Sequence, residues 1–199
     1  IDVYGEAAHG SQPHKGTNAI VDAGRVAEAL EELDVGSHPK LGDGSVCPLM
    51  LEGGSQTLSV PEHAKVYADR HVVIGETKES VIADAEEMVE ELDLDSEVEV
   101  NVRKAPEPDI FYGPYVTDED HDLVEALEQG TEAVCDESPA IGYFASVGDF
   151  NYLGHRAELP TVIVGPDGEN IHGAGEFVYT DEVVDVARTI AHAATRLIA

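Results

Sequence analysis

The sequence predicts an α/β protein in which a ferredoxin-like βαββαβ domain comes first and a further α/β segment follows. Two features indicate this fold. The apolar positions follow the order strand, helix, strand, strand, helix, strand over roughly the first hundred residues, which is the order of a split βαβ sandwich. A proline-punctuated stretch then separates this region from a second series of helix and strand patterns.

The elements of the first domain are predicted from their apolar spacing. Alternation predicts strands over residues 1–5, 45–51, 64–74 and 98–102, and a 3.6-residue period predicts helices over residues 17–33 and 81–92. Thr17 is predicted as the N-cap of the first helix. One antiparallel sheet covered on one side by two helices follows from this order.

The second region begins after the prolines of residues 105–114, because proline donates no hydrogen bond to a sheet and stiffens the chain. We therefore expect domains over residues 1–112 and 113–199. Helices are predicted at about residues 118–134 and 181–198, with short strands at 140–147 and 161–164. Two strands are few for a sheet covered on both faces, so this half is expected to be incomplete alone.

The charge balance is strongly acidic, with 41 acidic and 11 basic residues and a formal net charge of -30 among 199 residues. A polyanion repels nucleic acid and acidic membranes, so neither is expected as a partner. The acids alternate with regular apolar positions, which favours a solvated acidic surface over a normal core rather than disorder. High salt screens such self-repulsion, and the pattern suggests a cytosolic protein of an extreme halophile.

Cysteine usage and hydropathy point to a cytoplasmic protein. Cys47 and Cys135 are too few and too widely separated to indicate a disulfide framework, and no C-x-x-C pair is present. No run reaches the roughly 18 apolar residues of a membrane span, and the first residues do not read as a signal peptide.

The junction between the first strand and the first helix, residues 6–20, is the first candidate site. His9 is followed by Gly10 and Ser11, and a loop of small residues leaves an imidazole accessible. Spacing alone favours the simpler interpretation, a loop histidine hydrogen-bonded to backbone. His14 follows after a proline and has no third ligand near it in sequence, which favours a surface position over a metal-binding pair.

Two further candidates lie near predicted strand ends. His172 follows the turn at residues 165–168, beyond a predicted strand, where open α/β sheets bind ligands. An isolated histidine is more often a surface residue than a metal ligand. Arg70 ends another predicted strand, where it could hold an anion by a bidentate fork or form a structural salt bridge with one of the many acids.

Four segments in order resemble the dizinc aminoacylase and carboxypeptidase family, which includes acetylornithine deacetylase, succinyl-diaminopimelate desuccinylase and glutamate carboxypeptidase-like enzymes. They are residues 6–20, 69–77, 146–149 and 165–176, and the resemblance extends over residues 5–178. The last segment fits the family's pattern G-P-x-G-x-x-x-H-x-x-x-E. The resemblance implies a lid or dimerisation domain followed by the C-terminal part of a catalytic domain.

The resemblance also implies roles for individual residues. His9 corresponds to a lid histidine that reaches the partner subunit's active site and donates a hydrogen bond to the developing oxyanion. His172 corresponds to a zinc ligand. Asn18 retains the asparagine of the family's N-A-I segment and is expected at the substrate, and Asp149 matches part of the family's G-T-S-D substrate loop.

Two positions depart from the family pattern. Arg70 matches the first arginine of D-R-R-x-x-x-G-E-T, a segment that binds the substrate carboxylate, but His71 replaces the second. Leu58 stands where many relatives carry an asparagine, so one lid-to-substrate hydrogen bond is in doubt. Ser59 or Gln56 would supply that bond instead, or the leucine simply packs at the start of a strand.

The function implied by the resemblance is hydrolysis of an amide bond in N-acyl amino acids or short peptides. The complete enzyme would use two zinc ions, with cobalt or manganese as alternatives, and would form a homodimer through the lid domain. The family's H-x-D segment, its further acidic ligands and its glutamate base are not in these 199 residues, so this chain alone is expected to be inactive.

Two other classes of function compete with this one. A non-catalytic dimerisation or regulatory module would keep the fold without the metal ligands, and zinc titration distinguishes it from an enzyme. An acidic cation-storage protein would need carboxylates at loop spacings such as D-x-[DN]-x-[DN]-G, and the sequence has none.

Overall fold

The computed structural model describes residues 1–102 and 111–198 of the chain. The chain divides into two compact units, Ile1–Gly113 and Pro114–Ala199. Most of the predicted linker, including residues 105–108, lies outside the described residues. Within the described parts, none of the helices combines the length and apolar character that a membrane span requires.

The first unit contains a four-stranded antiparallel sheet and two long helices. Its elements in chain order are β1 (Asp2–Tyr4), a 3₁₀ turn (Pro13–Lys15), α1 (Ala19–Glu31), β2 (Ser37–His38), β3 (Gly42–Asp43), β4 (Ser45–Gly53), β5 (His63–His71), α2 (Lys78–Glu91) and β6 (Glu97–Glu99). The main sheet has the strand order β4-β5-β1-β6, and β2 and β3 pair separately. This topology confirms the predicted ferredoxin-like βαββαβ arrangement.

The core of the first unit forms where α1 and α2 cover one face of the sheet. Val3 of β1, Val26 of α1 and Val66 of β5 are fully buried. Leu30 and Met88, one from each helix, complete this cluster with several alanines. Residues that alternate with Val3 and Val66 along the strands face away from the helices, because successive strand side chains point to opposite faces.

The first helix starts two residues later than predicted, and its N-cap is Asn18 rather than Thr17. The Asn18 side-chain oxygen accepts hydrogen bonds from the backbone N–H groups of Ile20 and Val21, at 3.1 and 3.4 Å. Thr17 does not cap the helix because its backbone is extended and exchanges two hydrogen bonds with Glu6.

Strand β4 lies at one edge of the sheet and carries an interruption. Its pairing with β5 shifts between Pro48 and Met50, which is the position of a β-bulge. Proline is tolerated there because an edge strand need not donate on its outer side. The next apolar residues, Leu49, Met50 and Leu51, are 67%, 45% and 42% exposed, so this edge carries an uncovered apolar stripe.

The second unit is built around two helices. Its elements are α3 (Asp122–Cys135), the short helix α4 (Asp149–Asn151), a π-helical turn (Tyr152–Arg156), β7 (Gly168–Glu169), β8 (Phe177–Val178) and α5 (Thr180–Ile198). Helices α3 and α5 pack together closely at Gly130, where a β-carbon would lie 2.8 Å from the carbonyl oxygen of Thr189. The side chain of His121 caps α3, which therefore starts later than residue 118.

The two strands predicted in the second unit do not form. Residues 140–147 and 161–164 are extended or irregular, and the only ladder among the described residues of this unit is the two-residue pairing of β7 with β8. A β-strand forms only where a neighbouring strand makes hydrogen bonds with its backbone. The backbone of Thr161 makes its hydrogen bonds with a side chain instead. Its N–H and its carbonyl both hydrogen-bond to the hydroxyl of Thr117, at 3.0 and 2.7 Å.

Candidate functional site

His9 lies on a short two-stranded ribbon formed by residues 8–10 and 58–60. Gly10 N–H donates to the carbonyl of Leu58 and Val60 N–H donates to that of Ala8, both at 2.8 Å. These bonds flank His9 and Ser59, which face each other as a non-hydrogen-bonded antiparallel pair. Side chains of such a pair lie close together on one face of the ribbon, so His9 and Ser59 share a face.

The hydrogen bonds around His9 fix which ring nitrogen carries the proton. The backbone N–H of Ser11 donates to Nδ1 at 3.2 Å, and the Ser11 hydroxyl lies 2.9 Å from the same atom. A backbone N–H can only donate, so Nδ1 of the neutral ring must be the acceptor and Nε2 carries the proton. His9 is exposed, so this tautomer leaves Nε2–H available as a hydrogen-bond donor.

Three hydroxyl groups form a hydrogen-bonded row that ends at Ser59, the residue opposite His9. The hydroxyls of Ser55 and Thr57 lie 2.5 Å apart, and those of Thr57 and Ser59 lie 2.7 Å apart. Thr57 N–H also donates to the Ser55 hydroxyl, at 3.3 Å. Ser55 and Thr57 are not among the residues predicted from the sequence, and only the folding of this loop brings their hydroxyls together with that of Ser59.

A cavity of about 450 Å³ opens beside this row, on the sheet face away from the helices. The row, Ala7 and three β5 side chains, His63, Lys65 and Tyr67, all contribute to its walls. Glu52 and Glu62 line it as well. The volume lies within the range of sites for small molecules.

An ion-pair cluster borders this cavity on the open face of the sheet. The carboxylate of Asp2 lies 2.8 Å from Nζ of Lys65 and 3.0 Å from Nε2 of His63. Burial acts to raise the pKa of Asp2, but the hydrogen bonds from Lys65 and His63 outweigh it and leave this pKa below its ordinary value. Tyr4 stacks on His63, with ring centroids 5.1 Å apart.

Arg70 lies at the far end of β5 and is engaged inside the fold. One guanidinium nitrogen donates to the carbonyl of His71 at 2.9 Å, and another pairs with the carboxylate of Glu76. The Arg70 and Glu76 side chains are only 11% and 13% exposed. These contacts support the structural salt bridge that the sequence left open, and carboxylate binding by Arg70 stays a prediction.

The other predicted substrate residues occupy different places. Asn18 caps α1 through its side-chain oxygen, which explains an asparagine there without any ligand. Asp149 is exposed and begins α4 in the second unit. Substrate roles for both stay predictions.

His172 lies in the loop between β7 and β8. It is exposed and has a backbone φ of 61°, as Asn170 two residues earlier has 60°. Residues other than glycine rarely adopt this left-handed conformation, and such positions cluster at functional sites. Within residues 1–102 and 111–198, no three His, Cys, Asp or Glu side chains come together as a metal site. Among the described residues, His172 is therefore a candidate ligand that lacks a group of further ligands around it.

The chain was compared with known proteins. Residues 1–97 match the peptidase dimerisation domain of the M20 peptidases. Over these residues the chain is similar to an M20 dimerisation domain. The match covers β1 to α2, including the His9 ribbon, and ends at Glu97, the first residue of β6.

Relatives extend the similarity into the second unit. The N-formyl-4-amino-5-aminomethyl-2-methylpyrimidine deformylase of Bacillus subtilis is 27% identical over 194 residues, which is 88% of this chain and 45% of that protein. Aminopeptidase PepT of Bacillus cereus has a similar fold, with a TM-score of 0.65, 24% identity and coverage of 96% of this chain and 49% of that one.

A second similar structure is an M20 family metallo-carboxypeptidase from Sulfolobus solfataricus. Its TM-score is 0.60 at 13% identity, over 96% of this chain and 56% of that one. The chain spans about half the length of the curated relatives that it matches. The M20 lid followed by part of a catalytic domain, which the sequence resembles, is consistent with these matches.

Proposed function

We propose that this chain forms the lid and the trailing catalytic segment of a metal-dependent amidohydrolase acting on N-acyl amino acids or short peptides. The observation that carries the proposal is the exposed His9 on its ribbon, whose Nδ1 accepts a hydrogen bond from the backbone N–H of Ser11. The match of residues 1–97 to a peptidase dimerisation domain supports the same function. So does the similarity to a deformylase, whose name denotes cleavage of a formyl group.

His9 would act as a hydrogen-bond donor to the oxyanion that develops when the amide carbonyl is attacked. A donor held in place before the reaction is effective because it need not reorganise as charge develops. Ser11 keeps the ring in this state, since its N–H bond to Nδ1 requires the proton to be on Nε2. The ring is too exposed to exclude water alone, so we infer that it completes a site in a partner subunit.

His172 would contribute one ligand to the metal site. The other ligands and the proton-transferring carboxylate would belong to parts of a longer protein, which the relatives have and this chain does not cover. Bound zinc ions would polarise the scissile carbonyl and activate water.

The dimer would form along the β4 edge. The apolar stripe of Leu49, Met50 and Leu51 lies on an edge strand whose outer side pairs with no other described strand, a feature that favours pairing with a second copy. Leu49→Arg should shift the full-length protein from dimer to monomer in size-exclusion chromatography with light scattering. Leu58→Arg is the matched control, because Leu58 is 86% exposed but lies outside this edge.

Two variants of the full-length protein test the proposed roles. His9→Ala should lower kcat by about a hundredfold or more, the loss seen when an oxyanion donor is removed, while zinc content stays at the wild-type level. His172→Ala should lower zinc occupancy, measured by elemental analysis. Normal turnover in the His9 variant would remove its catalytic role.

A non-catalytic dimerisation module is the second candidate, because the described residues lack a grouped metal site. Zinc titration of the full-length protein separates the two functions. Stoichiometric binding with amide hydrolysis supports the enzyme, and absence of both supports the module.

A further inference from the structure

The segment that carries His9 is held from two sides. On one side it forms the ribbon with residues 58–60. On the other side Glu6 and Thr17 exchange two backbone hydrogen bonds, in which the Glu6 N–H donates at 3.0 Å and the Thr17 N–H donates at 2.9 Å. Residues 6–10 therefore lie between two neighbouring segments, and a displacement of either neighbour would move His9.

Gly16, the residue before Thr17, closely approaches the segment that carries His9. A β-carbon at Gly16 would lie 2.4 Å from the carbonyl oxygen of Glu6 and 2.9 Å from the β-carbon of Ala8. Such atoms essentially never lie within 3.0 Å of a β-carbon. One of them is a backbone atom and the other is attached to the backbone, so neither can move away by a change of side-chain rotamer.

The backbone conformation of Gly16 does not by itself require glycine. Its φ of -133° and ψ of 176° are extended, a conformation that residues with side chains adopt freely. Its N–H donates to the carbonyl of Pro13 at 3.2 Å, as the N–H of another residue could. The requirement for glycine therefore comes from the close approach of Glu6 and Ala8.

We propose that Gly16 is a positioning residue for His9. Ala8, the residue before His9, meets Gly16 on one side and accepts the ribbon hydrogen bond from Val60 N–H on the other. The close contact at Gly16 thus fixes the backbone from which the imidazole extends. This matters for an oxyanion donor, because a displacement of about 1 Å can cost a hundredfold in rate.

This inference rests on the proposed function, and its test uses the full-length protein. Gly16→Ala should displace residues 6–8 and lower kcat by about tenfold to a hundredfold, with KM and zinc content near wild type. Gly24→Ala is the matched control. It adds the same methyl group to an exposed position of α1, where no described atom beyond that helix and its neighbours in the chain lies within 4 Å, so kcat should not change. A normal kcat in Gly16→Ala overturns the proposal.

A double variant separates positioning of His9 from general damage to the lid. If Gly16 acts only through His9, adding Gly16→Ala to His9→Ala should change kcat by less than about twofold, because the interaction that it disturbs is already gone. A further loss of about tenfold in the double variant would show that Gly16 acts apart from His9 and would overturn the positioning role.

Hydrogen exchange tests the same contact without a substrate. In Gly16→Ala, the amides of Glu6 and Val60 should exchange about tenfold faster, because their hydrogen bonds hold the displaced segment on its two sides. The amide of Val66, in the core strand β5, should exchange at the wild-type rate. An equal increase at all three amides would indicate a general loss of stability and would contradict a local role.

The outcomes distinguish this inference from the proposed function. A wild-type enzyme that hydrolyses amides, with Gly16→Ala normal in both kcat and exchange, overturns the role of Gly16 and keeps the amidohydrolase. A metal-loaded wild-type protein that hydrolyses no amide overturns both. Normal turnover in His9→Ala also removes both roles, whatever the exchange rates. Lower kcat in each single variant, with no further loss in the double variant, supports both.

Discussion

The two units of this chain bury their apolar residues very differently. Among the described residues, the first unit holds eleven of the fourteen buried hydrophobic residues, and the second unit holds only Val124, Ala126 and Ala193. The second unit instead carries sixteen of the twenty-three exposed large hydrophobic residues. The first unit is therefore a domain with its own core. The second unit has a large exposed apolar surface, which is typical of a surface that packs against another part of a protein.

This difference agrees with the proposed roles of the two units, a lid domain and a trailing segment of a catalytic domain. A lid domain must fold around its own core to hold His9 and Ser59 in a fixed geometry. A trailing catalytic segment would share its core with the rest of the catalytic domain, and we propose that this rest covers the exposed residues of the second unit.

The largest expected effect is a difference in cooperative unfolding between the two units when each is expressed alone. Residues 1–113 expressed alone should unfold in one cooperative transition, because the sheet and both helices enclose a continuous core. Residues 114–199 alone should bind the dye ANS and lack a cooperative transition, because their apolar surface stays exposed. Circular dichroism melts of the two pieces measure this, and a sharp transition for the second piece would contradict the comparison.

Two matched valine substitutions, one in each unit, should differ several-fold in how much they lower the free energy of unfolding. Val66→Ala removes a fully buried side chain and should lower the free energy of unfolding by roughly 2 to 3 kcal/mol. Val184→Ala, at a side chain 49% exposed on α5, should change it by less than about 0.5 kcal/mol in this chain. Urea unfolding measures both. A larger cost for Val184→Ala in the full-length protein would show that another part covers this surface.

The cap of α1 should have a smaller effect. Asn18→Ala removes the acceptor for two backbone N–H groups and should cost about 1 kcal/mol. Thr17→Ala is the control, because the structure assigns the cap to Asn18. Equal losses in thermal melts of both variants would contradict that assignment. In the full-length enzyme, a fall in turnover greater than the loss of folded protein would support the predicted substrate role of Asn18.

The smallest effect should be a change in the pH dependence of stability. The pKa of Asp2 is lowered in the fold, so its contribution is present above the ordinary aspartate pKa of about 4 and is lost as the pH falls through the lower folded value. Asp2→Asn should therefore be less stable than wild type at pH 7, and this gap should close in acid. Asp43→Asn, at an exposed position of β3, is the control. A gap that stays constant down to the lowest pH would contradict the ion pair.

The sequence predicted the first unit well because its strands and helices pack on each other and follow simple periods. Val3 and Val66 alternate with polar residues along strands that pair within the unit, so local pattern and tertiary contact agree. Residues 161–164 have an equally apolar pattern, but no strand lies beside them in the described chain. An apolar pattern of this kind predicts that the segment is buried, but the segment becomes a strand only if another strand lies beside it.

The candidate site was predictable in part for a similar reason. His9 stood out as a histidine among small residues, but its proton position depends on a bond from Ser11 that sequence cannot show. The position of Ser59 across from His9 depends on a ribbon between segments about fifty residues apart. Arg70 was indicated by its place at a strand end, and the pairing with Glu76 became visible only in three dimensions.

The most direct test of the central claim is complementation between two inactive variants of the full-length protein. In the proposed dimer, His9→Ala would keep the metal site but lack the imidazole, and His172→Ala would keep the imidazole but lose the proposed metal ligand. If His9 acts in the partner subunit, each mixed dimer regains one complete site out of two. Random mixing makes about half of the dimers mixed, so it should restore about a quarter of wild-type activity. Mixed dimers with no activity above the parent variants would contradict a lid histidine that acts across the dimer.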